Sequence, residues 1–310
     1  MSHRIMIAGP TASGKSSLAV SLAQQMGGEI ISVDSRQCYK QINIGTAKPD
    51  EEQLEAVQHY NISNLDLDED DSAIQFHDRA MEWTKEIEQR GKTVIFCGGS
   101  TLHLQSLVRP LDDLPSSNSK NIKQLEEKLQ KEGVESLYEM LKSVDPDYAK
   151  GMDGTNHRRI IRALDVWMQT GKPFSGFHSK TSFEQPANMS VFALNWPRKT
   201  LHQRIERRCD QMIDNGLIEE VKLILKQGNS ADLQALQTVG YKQVLQYLND
   251  EISYEQMVKD FKTATRRYAK RQITWLRRWP FVIWLDRSEI SEQELIETIQ
   301  QQVAADMNKG

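Results

Sequence analysis

The chain has 310 residues, of which 38% are hydrophobic and 26% are charged, and its formal net charge is -4. No apolar run approaches the roughly 20 residues of a membrane span, and no signal peptide precedes the first predicted strand. Cys38, Cys97 and Cys209 are too far apart for a disulfide framework or a cysteine-rich zinc site. We therefore expect a cytoplasmic protein with no membrane segment.

The first predicted element is a short strand at residues 4–8, followed by a glycine-bounded loop and a helix. The loop fits G-x-x-x-x-G-K-[ST] without a mismatch, with the residues Gly9, Pro10, Thr11, Ala12, Ser13, Gly14, Lys15 and Ser16. Backbone N–H groups at such a helix start attract phosphate oxygens, and Lys15 adds a positive charge. The Ser16 hydroxyl is positioned to ligate Mg²⁺. The sequence therefore predicts a site for a di- or triphosphate.

The second predicted strand covers residues 29–33 and ends at Asp34. One helix separates the two strands, which predicts a right-handed βαβ unit with Asp34 at the carboxyl edge, where ligands bind. A helix at residues 72–90 leads to a buried strand at 93–97, which ends at the same edge in a glycine turn. No acidic residue follows that strand, which argues modestly against an ordinary ATPase.

The character of the chain changes after Leu111. Residues 112–119 have the composition of a linker, and the next 52 residues are predicted as helices at 121–131, 133–143 and 157–170. A strand at 190–194 then returns to the sheet, and helices at 199–227, 241–248 and 254–279 precede a last strand at 281–285. The predicted fold is α/β, a P-loop NTPase-like parallel sheet flanked by helices. Residues 113–188 form its helical insertion domain, and residues 1–112 and 189–310 form its core.

The stretch 254–280 is basic on an otherwise acidic protein, with eight Lys or Arg residues against two acids and with aromatic residues between them. This pattern indicates a polyanionic partner such as nucleic acid, although a solvated helix face has the same composition. Trp275 and Trp279 lie at helical spacing, so we expect both in the core.

Motifs along nearly the whole chain resemble those of the tRNA dimethylallyltransferases, also called tRNA isopentenyltransferases. They are the phosphate loop and the segments at 34–39, 44–49, 98–100, 159–164, 208–217, 239–242 and 269–275. That family transfers a dimethylallyl group from dimethylallyl diphosphate to N6 of adenosine 37, next to the anticodon of tRNA, with Mg²⁺. The resemblance implies that the phosphate loop binds the diphosphate of the isoprenoid and not ATP.

The resemblance also implies residue roles. Asp34 is the expected general base, Ser100 and Arg208 flank the reaction centre, and Ser16 is the metal ligand. The expected tRNA contacts are Asp34, Ser35, Arg36, Gln37, Ser100, Arg158, Arg159, Arg162, Gly240, Tyr241, Lys242, Lys270, Arg271, Gln272 and Arg277. The partners are the anticodon stem-loop and dimethylallyl diphosphate, and the protein is expected to be a monomer. The family usually has Thr, Gly, Tyr and Asp at the positions of Ser100, Thr101, His103 and Asn43.

Two other functions fit parts of the sequence. A P-loop kinase of a small metabolite or nucleotide would use the same loop, the same sheet edge and a helical insertion. A non-catalytic RNA-binding module would account for the basic stretch alone. Individual residues also have plainer interpretations, because Asp34 can cap the turn that follows it and Arg208 can be a surface charge.

Overall fold

A computed structural model describes residues 3–109, 111–177 and 183–308, and its strands form one parallel sheet. The strands are β1 (Arg4–Ala8), β2 (Gly28–Val33), β3 (His59–Tyr60), β4 (Thr93–Gly98), β5 (Met189–Asn195) and β6 (Ile283–Asp286). Their order across the sheet is β3-β2-β4-β1-β5-β6. The strands β2 and β4 are added on one side of β1, and β5 is later added on the other side. A crevice therefore opens at the carboxyl ends of the central strands, where ligands bind in such folds.

Twelve α-helices lie among the described residues. They are α1 (Lys15–Met26), α2 (Glu51–Ala56), α3 (Ala73–Gln89), α4 (Thr101–Val108), α5 (Ser119–Val144), α6 (Pro146–Lys150), α7 (His157–Thr170), α8 (Arg198–Asp214), α9 (Leu217–Lys226), α10 (Tyr241–Leu248), α11 (Tyr254–Leu276) and α12 (Glu292–Met307). None of the helices that the structure describes is long and apolar enough to cross a membrane.

Successive residues of each strand point to opposite sides of the sheet. Both faces are apolar in this sheet, and helices cover both of them. Ile5 and Ile7 of β1 pack with α1 and α12 on one face. Met6 and Ala8 pack with α3, α4 and the end of α11 on the other face. A third core joins helices α8 to α11 to the loop after β2, through buried residues such as Tyr39 and Ile42. That loop follows Asp34, so this packing fixes the approach to the sheet edge.

The chain divides into two compact units, one of Met1–Pro110 with Phe183–Gly310 and the other of Leu111–Ser182. The second unit contains α5, α6 and α7, which pack around buried leucine and isoleucine side chains such as Leu137 and Ile160. Gly133 interrupts α5 with a φ of 80° and a ψ of 172°. The sequence predicts two helices here, at 121–131 and 133–143, and the break falls at the first residue of the second one.

The fold class predicted from the sequence is confirmed: a parallel sheet is flanked by helices on both faces. Trp279 is 2% exposed and belongs to the core as predicted. Trp275 packs against the same cluster but is only partly buried. The last strand begins at Ile283, two residues later than predicted, and the helices α2, α4 and α12 are not predicted from the sequence.

Candidate active site

The loop between β1 and α1 is shaped by backbone conformations that few residues adopt. Gly9 has a φ of 153° and Gly14 a φ of 90°, both in the region that favours glycine. Gly14 immediately precedes α1 without a side-chain cap, so the first N–H groups of this 12-residue helix remain available. The structure thus forms the phosphate loop that the motif predicts, at the carboxyl edge of the central strand.

A cavity of about 500 Å³ opens beside this loop. Its walls come from the phosphate loop, the ends of β2 and β4, the loop after β2, α8 and α11. The site residues that line it are Thr11, Ala12, Gly14, Lys15, Ser16, Asp34, Ser35, Arg36, Gln37, Arg208 and Gln272. The structure therefore brings together most of the predicted diphosphate residues and two of the three predicted catalytic residues, Asp34 and Arg208, whereas Ser100 is not among the lining residues. The volume of the cavity suits a small ligand.

Lys15 and Arg208 are two of the four basic residues that line this cavity, together with Arg36 and Lys48. Burial lowers the pKa of Lys15, and the Arg208 charge lowers it further, whereas Cys97 and Asp34 act in the opposite direction. Burial likewise lowers the pKa of Arg208. Arg208 Nε has no hydrogen-bond partner, and Arg208 has no ion pair, in the described part of the chain. Two desolvated cations of this kind form a site for an anion.

The two oxygens of Asp34 differ in their surroundings. Oδ1 accepts hydrogen bonds from the backbone N–H groups of Arg36 at 2.8 Å and Gln37 at 3.2 Å. The capping interpretation is therefore correct for this oxygen. Oδ2 accepts no hydrogen bond within residues 3–109, 111–177 and 183–308. One oxygen thus holds the turn while the other is available to a ligand in the cavity.

Ser100 links β4 to the turn at Asp34. Its Oγ accepts a hydrogen bond from Ser35 N at 3.0 Å and donates one to Ser35 Oγ at 3.3 Å. Tyr268 on α11 lies close to Ser100, and burial raises the pKa of this phenol to about 12. Tyr268 lines the cavity, yet the sequence motifs do not single it out. The only sequence feature that points to Tyr268 is its place among the aromatic residues that lie between the basic residues of 254–280.

The loop after β2 is held by its own side chains. The Gln37 amide accepts from Ser32 Oγ at 2.9 Å and donates to the carbonyl groups of Thr46 at 3.2 Å and Ala47 at 3.0 Å. Lys48 Nζ donates to the carbonyl of Tyr39, among other oxygens of the loop, and burial lowers the pKa of Lys48 to about 8. Gln37 was predicted to contact tRNA, but here its amide shapes the loop.

Two other predicted tRNA contacts are buried side chains in this structure. Tyr241 is fully buried, with its hydroxyl bonded to Glu220 and to Gly45 N, and Gly240 beside it is also buried. Gln272 is 2% exposed, accepts from Thr11 N at 2.9 Å and donates to the carbonyl of Gly99 at 2.9 Å. Both side chains thus hold backbone segments together, and the predicted tRNA contacts of these residues and of Gln37 stay predictions.

Four predicted tRNA contacts are exposed on the first unit, namely Lys242, Lys270, Arg271 and Arg277. Arg36 is half-buried, and its Nη1 donates to the carbonyl of Ser35 at 3.0 Å. Arg267 is a further exposed residue of α11 at helical spacing from Lys270 and Arg271. It lies inside the basic stretch but was not singled out.

The second unit carries the three remaining predicted contacts. Arg158 and Arg159 are exposed in the first turn of α7. Arg162, one turn later, pairs with the buried carboxylate of Asp165 at 2.9 Å and donates to the carbonyl of Pro115. Arg162 therefore stabilises its own unit, whereas the first two guanidinium groups remain at the surface.

The cavity also contains oxygen donors that suit Mg²⁺. Ser16 is exposed at the start of α1 and lines the cavity together with Asp34. Across the described residues there is no group of three or more His, Cys, Asp or Glu side chains that could hold a metal. Mg²⁺ commonly binds through one or two protein oxygens and uses water and substrate phosphates for its other positions. The residues present fit that kind of site.

The IPP transferase family profile matches residues 37–279, which is most of the chain. This chain belongs to the IPP transferase family. A tRNA dimethylallyltransferase from Thermoanaerobacter sp. (strain X514) is 42% identical over 284 residues, 90% of each chain. One from Acetivibrio thermocellus is 39% identical over 299 residues, 96% of this chain and 95% of that protein.

Solved structures resemble this member of the IPP transferase family over its full length. A tRNA isopentenylpyrophosphate transferase from Bacillus halodurans gives a TM-score of 0.73 at 33% identity, covering 100% of this chain and 98% of that one. A eukaryotic dimethylallyltransferase acting on tRNA gives a TM-score of 0.78 at 28% identity, covering 98% of this chain and 78% of that one.

Proposed function

We propose that this IPP transferase family member transfers a dimethylallyl group from dimethylallyl diphosphate to N6 of adenosine 37 in tRNA. The observation that carries the proposal is a single cavity lined by both cations and a carboxylate. Lys15 and Arg208 offer positive charge, and Asp34 lines the same space. The names of the curated relatives, tRNA dimethylallyltransferase, support the same reaction.

Lys15 and Arg208 act on the leaving group. As the bond between the allylic carbon and the diphosphate oxygen breaks, the diphosphate takes the electron pair and gains negative charge. Lys15, Arg208 and the N–H groups of the phosphate loop stabilise that charge, and fixed donors in a desolvated site are effective because they need no reorganisation. Mg²⁺, when bound at Ser16, supplies further positive charge to the same oxygens.

Asp34 acts on the acceptor, the N6 amine of the adenine. The N6 lone pair of adenine is delocalised into the ring, so this amine is a poor nucleophile until its proton is removed. N6 forms the new bond to the allylic carbon, and its proton passes to Asp34 Oδ2. The hydrogen bonds to Oδ1 hold the carboxylate in place during this transfer. A positioned base of this kind contributes roughly 10²- to 10⁴-fold in rate.

The RNA side of the proposal rests on exposed basic residues. Lys270 and Arg271 are exposed on α11, the helix that also contributes Tyr268 and Gln272 to the cavity, and Arg277 is exposed just after its end. Adenosine 37 must leave the anticodon loop to reach a partly enclosed site, as bases do in other modifying enzymes. We also propose that the protein acts as a monomer.

A transfer assay tests this proposal. The protein is incubated with Mg²⁺, dimethylallyl diphosphate and an anticodon stem-loop with adenosine at positions 36 and 37, and the nucleosides are analysed by mass spectrometry. We expect isopentenyladenosine at position 37 and release of one diphosphate for each adduct. Consumption of ATP without an adduct would instead support a P-loop kinase, which has the same type of loop.

A further inference from the structure

Two side chains outside the cavity hold the carbonyl groups of the phosphate loop. Arg204 Nε donates to the carbonyl of Ala12 at 2.8 Å, and Trp196 Nε1 donates to the carbonyl of Ser13 at 2.9 Å. The Arg204 guanidinium also lies over the indole ring of Trp196, 4.6 Å from the ring centroid. We call Trp196 and Arg204 the outer brace, since neither lines the cavity itself.

The brace acts on a segment of unusual backbone conformation. Ala12 has a φ of 63°, in the left-handed region that residues with a Cβ rarely occupy. Such conformations persist where the surroundings fix them. The hydrogen bond from Arg204 to the Ala12 carbonyl is charge-assisted and therefore stronger than a neutral one. It provides a direct reason why the loop keeps this shape.

The second hydrogen bond of the brace determines where an N–H group points. The peptide unit between Ser13 and Gly14 is planar and trans, so the Ser13 carbonyl and the Gly14 N–H point in opposite directions. Trp196 holds that carbonyl on the outer side of the loop. The Gly14 N–H is thereby turned towards the cavity, which Gly14 lines. N–H groups at this position bind phosphate oxygens.

We propose that Trp196 and Arg204 are positioning residues that fix the phosphate loop in its binding conformation before the diphosphate arrives. This inference rests on the proposed function, because it takes the ligand of the loop to be a diphosphate. Arg204 is four residues before Arg208 on α8, so one helix supports the loop and presents a cation to the same ligand.

The consequence is a specific kind of defect when the brace is removed. A loop that is not held must be ordered when the ligand binds, which weakens binding. Once the ligand is bound, the reacting groups occupy the same positions as in the unaltered protein. Loss of the brace therefore raises the KM for dimethylallyl diphosphate and leaves kcat at saturation nearly unchanged.

Three variants separate the parts of the brace. Trp196→Phe keeps an aromatic ring under Arg204 and removes the N–H donor. Arg204→Met keeps the aliphatic part of the side chain and removes both donor and charge, whereas Arg204→Lys keeps a charged donor group but not the planar guanidinium. Trp83→Phe and Arg207→Met serve as matched controls, since Trp83 is on α3 and Arg207 is an exposed residue of the same helix as Arg204.

The primary measurement is the Kd of inorganic pyrophosphate with Mg²⁺, determined by calorimetry. We expect about five-fold weaker binding for Trp196→Phe and about ten-fold or more for Arg204→Met, with Arg204→Lys between wild type and Arg204→Met. The Kd of the anticodon stem-loop, measured without pyrophosphate, should change by less than about two-fold, and the controls should match wild type. Melting temperatures are recorded for every variant.

Pyrophosphate affinities within about two-fold of wild type in the folded brace variants would overturn the inference. Parallel losses of pyrophosphate and RNA binding would also overturn it, since a general loss of stability has that signature. If Arg204→Met does not fold, Trp196→Phe and Arg204→Lys decide by the same criteria. If these variants bind pyrophosphate weakly, the brace is supported. If the wild-type protein at the same time shows no transfer activity, the proposed function is refuted although the brace stands.

Discussion

One oxygen of the Asp34 carboxylate holds a turn, and the other is available for the proposed proton transfer. Oδ1 is engaged by two backbone N–H groups, and Oδ2 accepts no hydrogen bond within the parts of the chain that the structure describes. From the sequence, a turn cap and a general base are competing interpretations of this residue. The structure makes them compatible, because each interpretation uses a different oxygen.

Asp34→Asn tests this division of labour. The amide oxygen can still accept the hydrogen bonds that Oδ1 receives, but the side chain no longer takes up a proton. We expect transfer to fall by about 10²-fold or more, with the melting temperature and the stem-loop affinity nearly unchanged. Asp34→Ala is the matched comparison, because it should lose both activity and some stability. Transfer by Asp34→Asn within about ten-fold of wild type would refute the base assignment.

Cys38 gives the protein a stability that depends on pH. Burial and the neighbouring Asp71 carboxylate raise the pKa of this thiol from 9.0 to about 12. The folded state thus keeps the proton while the unfolded chain releases it above pH 9. Stability from this group is complete below pH 9 and is lost as the pH rises towards 12.

Cys38→Ala should therefore show a smaller loss of stability than wild type between pH 9 and pH 11. Urea unfolding at several pH values measures the difference, and each variant is compared with its own value at pH 8. Cys209 is also buried, and burial likewise raises the pKa of its thiol. Cys209→Ala therefore provides a second test of the same effect. Identical pH profiles for wild type and Cys38→Ala would contradict the expectation.

The sequence indicates the residues of the site better than their functions. The order of motifs identifies Asp34, Ser100 and Arg208, but it does not reveal whether a polar side chain faces solvent or backbone. Gln272 and Tyr241 illustrate the difficulty, since both lie in segments assigned to RNA and both are buried against loops. Burial of such side chains depends on how α10 and α11 pack, which is a tertiary property.

At the scale of the elements, β2 and β4 approach each other too closely for any side chain at Gly98. A Cβ at this position would lie 2.1 Å from the Val33 carbonyl oxygen and 2.5 Å from the Val33 carbonyl carbon. Both atoms are backbone atoms of a central strand, so they cannot move away easily. The glycine after a buried strand is thus required by sheet packing, as well as by the turn that follows.

Gly98→Ala is expected to destabilise the protein by about 3 kcal/mol, within the range of overpacking in well-packed cores. Thermal unfolding measures the change. Gly176→Ala is a suitable control, because a Cβ there meets nothing within 4 Å and its φ is not in the left-handed region. A melting temperature for Gly98→Ala equal to that of the control would show that the strands separate more readily than their close approach indicates.

Helix α11 has two distinct faces. Gln272 and Tyr268 line the cavity, while Lys270 and Arg271 on the helix, and Arg277 just after it, are exposed. Replacing the three exposed cations with Gln should weaken stem-loop binding. It should also reduce the salt dependence of binding, by about 0.7 to 0.9 in log–log slope for each phosphate group that is no longer neutralised.

Pyrophosphate affinity should not change in this triple variant, because the three cations lie outside the cavity lining. Lys92→Gln, an exposed position after α3, is the control. An unaltered salt slope in the triple variant would exclude α11 from the RNA interface.

The elements themselves were largely predictable, because strongly periodic segments and buried strands have clear signatures. The helix α12 is the informative omission. Ser291 and Glu294 form a capping box at its start, which is a recognisable signal in the sequence. The two-residue strand β3 has no comparable signal, since its pairing with β2 depends on the fold of the whole sheet.

At the scale of the whole molecule, net charge and local charge have opposite signs. The chain carries -4 overall, yet its candidate site contains two partly buried cations and its α11 surface is basic. Electrostatic attraction acts through the local field, so an acidic protein can still bind a polyanion at a basic surface. The nine acids of residues 50–71 in part pair within the molecule, as Asp71 does with Arg79 at 2.9 Å.

The central claim is that one cavity holds the diphosphate at the phosphate loop and the acceptor nitrogen at Asp34. The most direct test is a crystal structure with Mg²⁺, an unreactive thio analogue of dimethylallyl diphosphate and an anticodon stem-loop. We predict the diphosphate against Lys15 and Arg208, and N6 of adenosine 37 within about 3.2 Å of Asp34 Oδ2. An adenine N6 bound beyond hydrogen-bond reach of Asp34, with the diphosphate in place, would contradict this claim.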